Sequence, residues 1–304
     1  MTSASATADR AAAEERAALW AGVGCYAFWG FLPILLKAAA WAGAGDWEIV
    51  VWRALWAIPV MGAIILLTRR TEAVLRVLRS PKTLGALTIS ALLIGANWAL
   101  YVWLVNTGHT LDASLGYFLN PLLSVAAGLI LFRERIGTSG WIALGLAGAG
   151  VALQTAATGH PPWAGLSLAT CFCAYGIIRK QVAADAQTGL FVECLVLAAP
   201  AFAYAVWLRT HGLGHAAQPL AGFLLFLGGP ATVAPLLAFS WAARRAPLST
   251  MGFLQFISPS IQFVIALATG ERLSALGMAA FALIWAGVEV FAYSAWSRLR
   301  RAGA

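Results

Sequence analysis

Two long apolar stretches of the sequence each carry polar side chains around a central proline. The first, residues 113–135, contains Tyr117, Asn120, Pro121 and Ser124. The second, residues 250–272, contains Gln255, Ser258, Pro259 and Gln262. Amide, hydroxyl and phenol groups form hydrogen bonds, but they supply no nucleophile with an adjacent base. The chemistry they predict is therefore reversible binding of a polar or aromatic ligand.

In each stretch the polar side chains share one face of a helix. At 100° per residue those of the first stretch fall within an arc of about 120°, and the opposite face is apolar. An amide facing lipid without a partner costs several kcal/mol, so the polar faces should lie against protein or a cavity. Bridging of neighbouring helices is the alternative for any single side chain. Two such faces at equivalent positions favour a cavity.

Other apolar segments add side chains of the same kind, such as Asn97 and Tyr101, which lie four residues apart on one helix face. Together they predict a substrate pocket that is aromatic, rich in amides and poor in charge. The predicted substrate-binding residues are Tyr26, Trp29, Asn97, Tyr101, Tyr117, Asn120, Ser124, Tyr175, Gln255, Ser258 and Gln262. Residues expected at helix bends or gates are Pro121, Pro259, Glu134 and Glu271.

The composition places these segments in a membrane. Of 304 residues, 61% are hydrophobic and 11% are charged, and the mean hydropathy is +0.79. A soluble domain has about 25% charged residues. The net charge of +8 is interpreted as loop arginines that set membrane topology, so no nucleic-acid partner is expected.

The elements that carry these residues are predicted to be membrane-spanning helices of about 20 residues. The runs are too long and continuous for the strands of a membrane β-barrel, which alternate apolar and polar residues. The fold class is therefore all-α integral membrane with ten transmembrane helices. The predicted spans are 19–40, 47–67, 84–105, 111–131, 139–156, 163–179, 190–208, 219–242, 248–269 and 275–297.

The distribution of basic residues predicts the orientation of these spans. With the N-terminus inside, sixteen of the 20 Lys and Arg residues fall on the cytoplasmic side, as the positive-inside rule requires. The exceptions are Lys37, Arg53, Arg209 and Arg272. Residues 1–18 lack the apolar core of a signal peptide and are interpreted as a cytoplasmic tail. Both termini are therefore expected to be cytoplasmic.

The sequence also predicts an internal repeat. Pro121 precedes Glu134 by 13 residues, and Pro259 precedes Glu271 by 12. Two five-helix halves follow, residues 19–158 and 159–304, and because five is odd the second half enters the membrane inverted. Inverted repeats are a common build of secondary transporters, which expose one central site alternately to the two sides of the membrane.

Three charged residues inside predicted spans are candidates for coupling transport to an ion: Arg53, Glu193 and Glu289. Ionisable groups within membrane segments are functional candidates by default. Snorkelling to the interface is the alternative for Arg53 and Glu193. A salt bridge with Glu48 and binding of an anionic group are further alternatives for Arg53. Glu289 has two alternatives, a bond to a neighbouring helix and an oligomer interface.

These residues resemble a known family. Ten spans in two halves, each with Pro-x(11–12)-Glu-Arg at its fourth helix, are similar to the EamA family of the drug/metabolite transporter superfamily. Residues 97–124, 175–180 and 247–263 closely resemble its RarD branch. The resemblance implies a bacterial inner-membrane exporter of small metabolites or drugs, with its pocket formed by spans 1, 3, 4, 6, 8 and 9.

The expected function is export of small amphipathic metabolites, of amino-acid or aromatic type, by alternating access, with protons as the candidate coupling ion. A flippase for a small lipid-linked or amphiphilic intermediate is the alternative. No enzyme is expected, because the four histidines are spread over three connections and form no acid–base or metal cluster. No cofactor or metal is expected, and the four cysteines are interpreted as buried apolar residues.

Overall fold

The computed structural model of the chain describes residues 3–131, 137–242 and 254–302. Within these ranges the regular secondary structure is entirely helical, as the sequence predicts. The described helices are α1 (Ser3–Trp41), α2 (Asp46–Leu67), α3 (Thr71–Leu78), α4 (Pro81–Asn106), α5 (Thr110–Leu131), α6 (Thr138–Thr158), α7 (Trp163–Gln181), α8 (Ala186–Thr210), α9 (Pro219–Ala242), α10 (Ile257–Ala268) and α11 (Ala275–Ala302).

Many of these helices are suited to a bilayer. Six segments are long and apolar enough to span it: Ala17–Trp41, Asp46–Leu67, Pro81–Asn106, Thr138–Thr158, Ala186–Thr210 and Pro219–Phe239. Three shorter apolar helices are Trp163–Arg179, Ile257–Ala268 and Ala275–Val290. The described part of the chain is thus a multi-span helical membrane protein, while the total of ten spans stays a prediction.

The helix ends have local causes in the sequence. The Ser80 hydroxyl accepts a hydrogen bond from a backbone N–H of the first turn of α4, and Pro81 suits that turn because no partner is needed for its missing N–H. Asp185 caps α8 in the same way. Gly159 ends α6 at φ +77°. Gly108, at φ +79°, separates α4 from α5.

Two helical features were not predicted. The short helix α3 lies in an expected loop, and its Val74 and Val77 are buried. Helix α1 begins at Ser3, so residues 3–18 of the predicted cytoplasmic tail continue the helix of the first span. Tail and first span are therefore one helix.

The chain divides into two compact units. Unit 1 comprises Met1–Phe31, Ser114–Leu166 and Pro235–Ala304, and unit 2 comprises Leu32–Ala113 and Ser167–Ala234. Each unit draws segments from both halves of the predicted repeat. The two five-helix halves themselves, 19–158 and 159–304, stay a prediction.

Unit 1 contains a close contact between α6 and α11. A Cβ atom at Gly150 would lie 2.6 Å from Ile284 Cγ1 and 2.9 Å from the Ala280 carbonyl oxygen. A Cβ at Gly287 would lie 3.0 Å from the Ala143 carbonyl oxygen. Glycine is needed at Gly150 because real Cβ atoms do not approach backbone this closely, whereas a Cβ at Gly287 would require α6 and α11 to shift slightly.

Two other glycines of α6 lie outside this contact. Around Gly145 and Gly148 no described atom lies within 4 Å of an added Cβ. These two glycines lie on the exposed face of α6, whereas Gly150 is buried against α11.

We expect Gly150→Leu to lower the stability of the purified protein by about 1–3 kcal/mol, the usual cost of overpacking a tight contact. The Ala280 carbonyl belongs to a helix backbone and cannot rotate away. Thermal unfolding in detergent measures the effect. Gly148→Leu is the matched control on the same helix, and equal losses in the two variants would contradict the proposed contact.

In unit 2, helices α2, α4 and α8 pack together around Ala54, Ile94, Trp98 and Ala201. Two side-chain contacts join the start of each helix to the end of the other, which shows that α2 and α8 are antiparallel. Glu48, near the start of α2, binds His215, which follows α8. Arg70, which follows α2, pairs with Asp185 at the start of α8. Antiparallel packing is what an inverted repeat requires of spans 2 and 7, although it does not establish the repeat.

Candidate functional site

A buried carboxylate, Glu193 of α8, is the centre of a polar cluster in unit 2. The Ser90 hydroxyl of α4 donates a 2.6 Å hydrogen bond to Glu193 Oε1. The Tyr175 hydroxyl of α7 donates to Oε2 at 3.4 Å, and Arg179 Nη1 lies 3.7 Å from Oε1. The residue is 0% exposed, so snorkelling does not describe it. We call Ser90, Tyr175, Arg179 and Glu193 the Glu193 cluster.

Arg179 reaches this carboxylate across a glycine. Its Nη2 donates to the carbonyl oxygens of Asp185 and Ala186, at 3.3 and 3.4 Å. A Cβ atom at Gly189 would overlap the Arg179 guanidinium. The absence of a side chain at Gly189 therefore gives the guanidinium its path between the first turn of α8 and Glu193.

Asp185, in the loop before α8, links this cluster to the surface of unit 2. Its carboxylate accepts hydrogen bonds from the Thr188 N–H and hydroxyl, at 3.1 and 2.7 Å, and pairs with Arg70 at 2.9 Å. Burial alone would raise the pKa of Asp185, but the Thr188 hydrogen bonds and the Arg70 charge outweigh it and hold the pKa below its ordinary value. Asp185 is therefore ionised at neutral pH.

A cavity of about 270 Å³ opens beside Asp185. Its wall is formed by α3, the start of α4 and the α7–α8 connection, and it includes Arg76, Thr83 and Thr188. Since a water molecule occupies about 30 Å³ of liquid, the cavity has room for several. Water can thus reach the first turn of α8 at this end of unit 2.

Arg53 of α2 is the second buried charge of unit 2. Its Nε donates a 2.5 Å hydrogen bond to the Thr232 hydroxyl of α9, and its guanidinium carbon lies 4.8 Å from the centroid of the Trp98 ring. Its exposed fraction is 4%, so it does not snorkel. Glu48, one alternative partner of Arg53, is bound by His215, through the backbone N–H at 2.7 Å and the ring Nδ1 at 3.0 Å.

Unit 1 holds part of the predicted pocket. Gln262 Nε2 of α10 donates to the Trp29 carbonyl oxygen at 3.3 Å and to the Ser258 hydroxyl at 3.1 Å. Tyr26 and Trp29 of α1 meet edge to face, with ring centroids 5.6 Å apart. Their rings also contact Phe239. Four predicted binding residues therefore lie together where α1 and α10 pack.

The proline of the second polar stretch lies near the start of a helix. Pro259 lies in the first turn of α10, where a missing N–H leaves no bond unmade. Its carbonyl oxygen accepts a 2.8 Å hydrogen bond from the Ser114 hydroxyl of α5. In the first stretch α5 continues helically through Pro121.

The other predicted pocket residues are placed as follows. Asn97 Nδ2 donates to the Leu168 carbonyl oxygen at 3.0 Å and so joins α4 to α7. Tyr101 and Asn120 are buried, whereas Tyr117, Gln255 and Glu271 are half-buried. Glu134 lies outside the described residues, as do the side chains of Pro121 and Ser124. Asn97, Tyr101 and Tyr175 belong to unit 2, and the remaining predicted binding residues belong to unit 1.

Glu289 is exposed on α11. It makes no hydrogen bond or ion pair with any residue that the structure describes. The interpretation of Glu289 as bonded to a neighbouring helix therefore has no partner within residues 3–131, 137–242 and 254–302.

Sequence reasoning missed several residues that hold the buried charges: Ser90, Asp185, Gly189, His215 and Thr232. Asp185 had a detectable signal, because an Asp that ends a polar loop before an apolar run is a typical helix cap. The other four have no local pattern that marks them.

Comparison with known proteins identifies the family. The profile of the EamA-like transporter family matches residues 16–156. An uncharacterized transporter of Vibrio cholerae is 39% identical over 88% of this chain and 89% of its own length. Protein RarD of Streptomyces exfoliatus is 37% identical, over 96% of this chain and 93% of its own. Protein RarD of Escherichia coli K12 is 36% identical, over 95% and 98%.

A crystal structure described only as "Crystal structure of protein" aligns with a TM-score of 0.61, covering 92% of this chain and 99% of that chain. Its sequence identity is 17%, so the likeness concerns the fold alone. On the sequence matches, the chain belongs to the RarD branch of the EamA-like transporter family.

Proposed function

We propose that the chain is a secondary transporter that exports small amphipathic metabolites or drugs, of amino-acid or aromatic type, by alternating access. Membership of a transporter family supports a small-molecule substrate and a location in the lipid bilayer. The proposed location is the bacterial inner membrane, with both termini cytoplasmic. The proposed pocket comprises the amide and aromatic residues predicted from the sequence.

The observation that carries the proposal is the set of polar side chains buried within apolar helices. Asn97, Asn120 and Gln262 are each at most 3% exposed. Apolar side chains are the usual residues at such positions of membrane helices. Polar groups in membrane helices are retained where they bridge helices or face a substrate path. Asn97 and Gln262 bridge helices here, so in the proposed cycle these bonds are exchanged for bonds to substrate.

The proposal is tested by reconstituting the protein into liposomes. Uptake of labelled amino acids, aromatic metabolites and chloramphenicol is measured with and without an imposed pH gradient. Accumulation that requires the gradient supports proton-coupled transport, and equilibration without it supports a facilitator. If folded protein moves none of these compounds but scrambles an amphiphilic lipid analogue, the transporter proposal fails and the flippase alternative replaces it.

We expect Asn120→Ala and Gln255→Ala each to weaken the apparent affinity for a transported compound about tenfold, because one lost hydrogen bond is worth about 1–1.5 kcal/mol. Concentration-dependent uptake by liposomes measures the effect. Gln154→Ala is the control, since Gln154 is a buried amide of α6 outside both polar faces. Unchanged affinity in both test variants would remove these amides from the proposed pocket.

A further inference from the structure

We propose that Glu193 is a proton-binding site reached from the Asp185 end of α8, and that Gly189 and Arg179 set how firmly its proton is held. The inference rests on the proposed function in one respect, namely that proton binding at Glu193 is linked to the transport cycle. Among the described residues, the Glu193 carboxylate has two hydroxyl partners and one nearby cation, Arg179, and a cavity lies at the same end of α8.

The partners of Glu193 suit both of its protonation states. The two groups hydrogen-bonded to it, on Ser90 and Tyr175, are hydroxyls. A hydroxyl donates to a carboxylate, and after rotation it accepts from a carboxylic acid. The other buried glutamate of unit 2, Glu48, is bound by the backbone N–H and the ring of His215 and has no such pair of hydroxyls. A proton on one oxygen of Glu193 can therefore be donated to one hydroxyl while the other hydroxyl still donates to the second oxygen.

Arg179 can also stay in place when the carboxylate becomes neutral. Its Nη1 lies 3.7 Å from Glu193 Oε1, which is an ion pair without a hydrogen bond. Its Nη2 remains bonded to the Asp185 and Ala186 carbonyl oxygens. Protonation thus changes the charge of the pair from zero to +1 and removes the attraction between α7 and Glu193, while the guanidinium keeps its carbonyl partners.

The cavity brings solvent close to the Asp185 end of α8. Asp185 and Thr188 lie in the wall of the 270 Å³ cavity, and Arg179 binds the Asp185 carbonyl. Glu193 follows Asp185 by eight residues, which is about 12 Å along the helix axis. The Arg179 guanidinium occupies part of this distance beside Gly189, so Arg179 lies between the cavity and the carboxylate.

The other ionisable groups around Glu193 leave Arg179 as its nearest charge partner. Helix α7 contributes Tyr175 besides Arg179. Helix α8 contributes the Cys194 thiol. Helix α2 contributes Arg53, whose positive charge interacts electrostatically with that thiol. Arg70, before α3, is paired with Asp185, and α4 contributes the uncharged Ser90.

Infrared difference spectroscopy of the purified protein between high and low pH tests the inference without a substrate. We expect an absorption band of a buried protonated carboxyl group that Glu193→Gln lacks. Glu48→Gln is the matched control and should keep the band, since Glu48 is also buried but is bound by His215, outside the Glu193 cluster. Absence of the band from the unchanged protein, or its presence in folded Glu193→Gln, would overturn the proposal.

A second variant tests the role of Arg179 without altering an ionisable group, and it serves if Glu193→Gln does not fold. Gly189→Ala displaces the guanidinium, so we expect the band to persist to a higher pH than in the unchanged protein. A band with unchanged pH dependence would refute the role of Gly189 and Arg179. Gradient-driven transport in a protein without the band would refute the Glu193 site and leave the transporter proposal standing.

Discussion

The Arg179→Met variant is expected to be less stable than the unchanged protein by about 3–5 kcal/mol, the usual cost of removing one partner of a buried ion pair. Methionine keeps much of the side-chain volume but leaves the Glu193 carboxylate without its cation in an interior where Glu193 is 0% exposed. Two carbonyl oxygens, of Asp185 and Ala186, also lose their shared donor. Reversible denaturation in mixed micelles measures the loss.

The double variant Arg179→Met/Glu193→Gln separates the charge effect from lost packing. Because it removes both charges, its loss should be at least 1 kcal/mol smaller than the sum of the two single losses, as expected for residues in contact. Arg209→Met is the control, since Arg209 lies exposed near the other end of α8. A loss in Arg179→Met no larger than in this control would show that the pair is not a structural element.

The positions of the membrane helices were largely predictable from the sequence. The predicted span 47–67 corresponds to α2 at Asp46–Leu67, and the predicted span 219–242 has the bounds of α9. Agreement at this level has a simple cause. A helix in lipid satisfies its own backbone and displays apolar side chains all round, so length and hydropathy nearly determine it.

Helix α3 was not predictable in the same way. Its eight residues lie in a basic stretch, and an isolated helix of that length is not stable in water. Burial of Val74 and Val77 against α4 and α8 stabilises it. That contact depends on the tertiary structure, which no local pattern reports.

The buried charges were visible in the sequence, but their partners were not. Ser90 is 103 residues from Glu193, and Thr232 is 179 residues from Arg53. A single hydroxyl in an apolar helix has no periodicity, so nothing in the sequence selects it from the others. Glu48, one alternative partner of Arg53, is likewise bound by a residue far along the chain, His215.

Gly229→Ala is expected to cost about 2–3 kcal/mol, although it adds only one methyl group. A Cβ atom there would lie 2.5 Å from the Trp56 carbonyl carbon and 2.7 Å from its oxygen. Both atoms belong to the backbone of α2, so α9 must move away from α2. That shift would also lengthen the hydrogen bond from Arg53 to Thr232, and bonds to charged groups contribute about 1.5–3 kcal/mol.

The neighbouring glycine provides the control, because it lies on the same helix against the same partner. A Cβ at Gly228 would lie 3.5 Å from Arg53 Cα, an ordinary van der Waals distance. Gly228→Ala should therefore be neutral or slightly stabilising, since alanine favours a helix by about 1 kcal/mol over glycine. Thermal unfolding compares the two variants. Equal stability would mean that α2 and α9 are farther apart than described and that Arg53 needs another partner in the membrane.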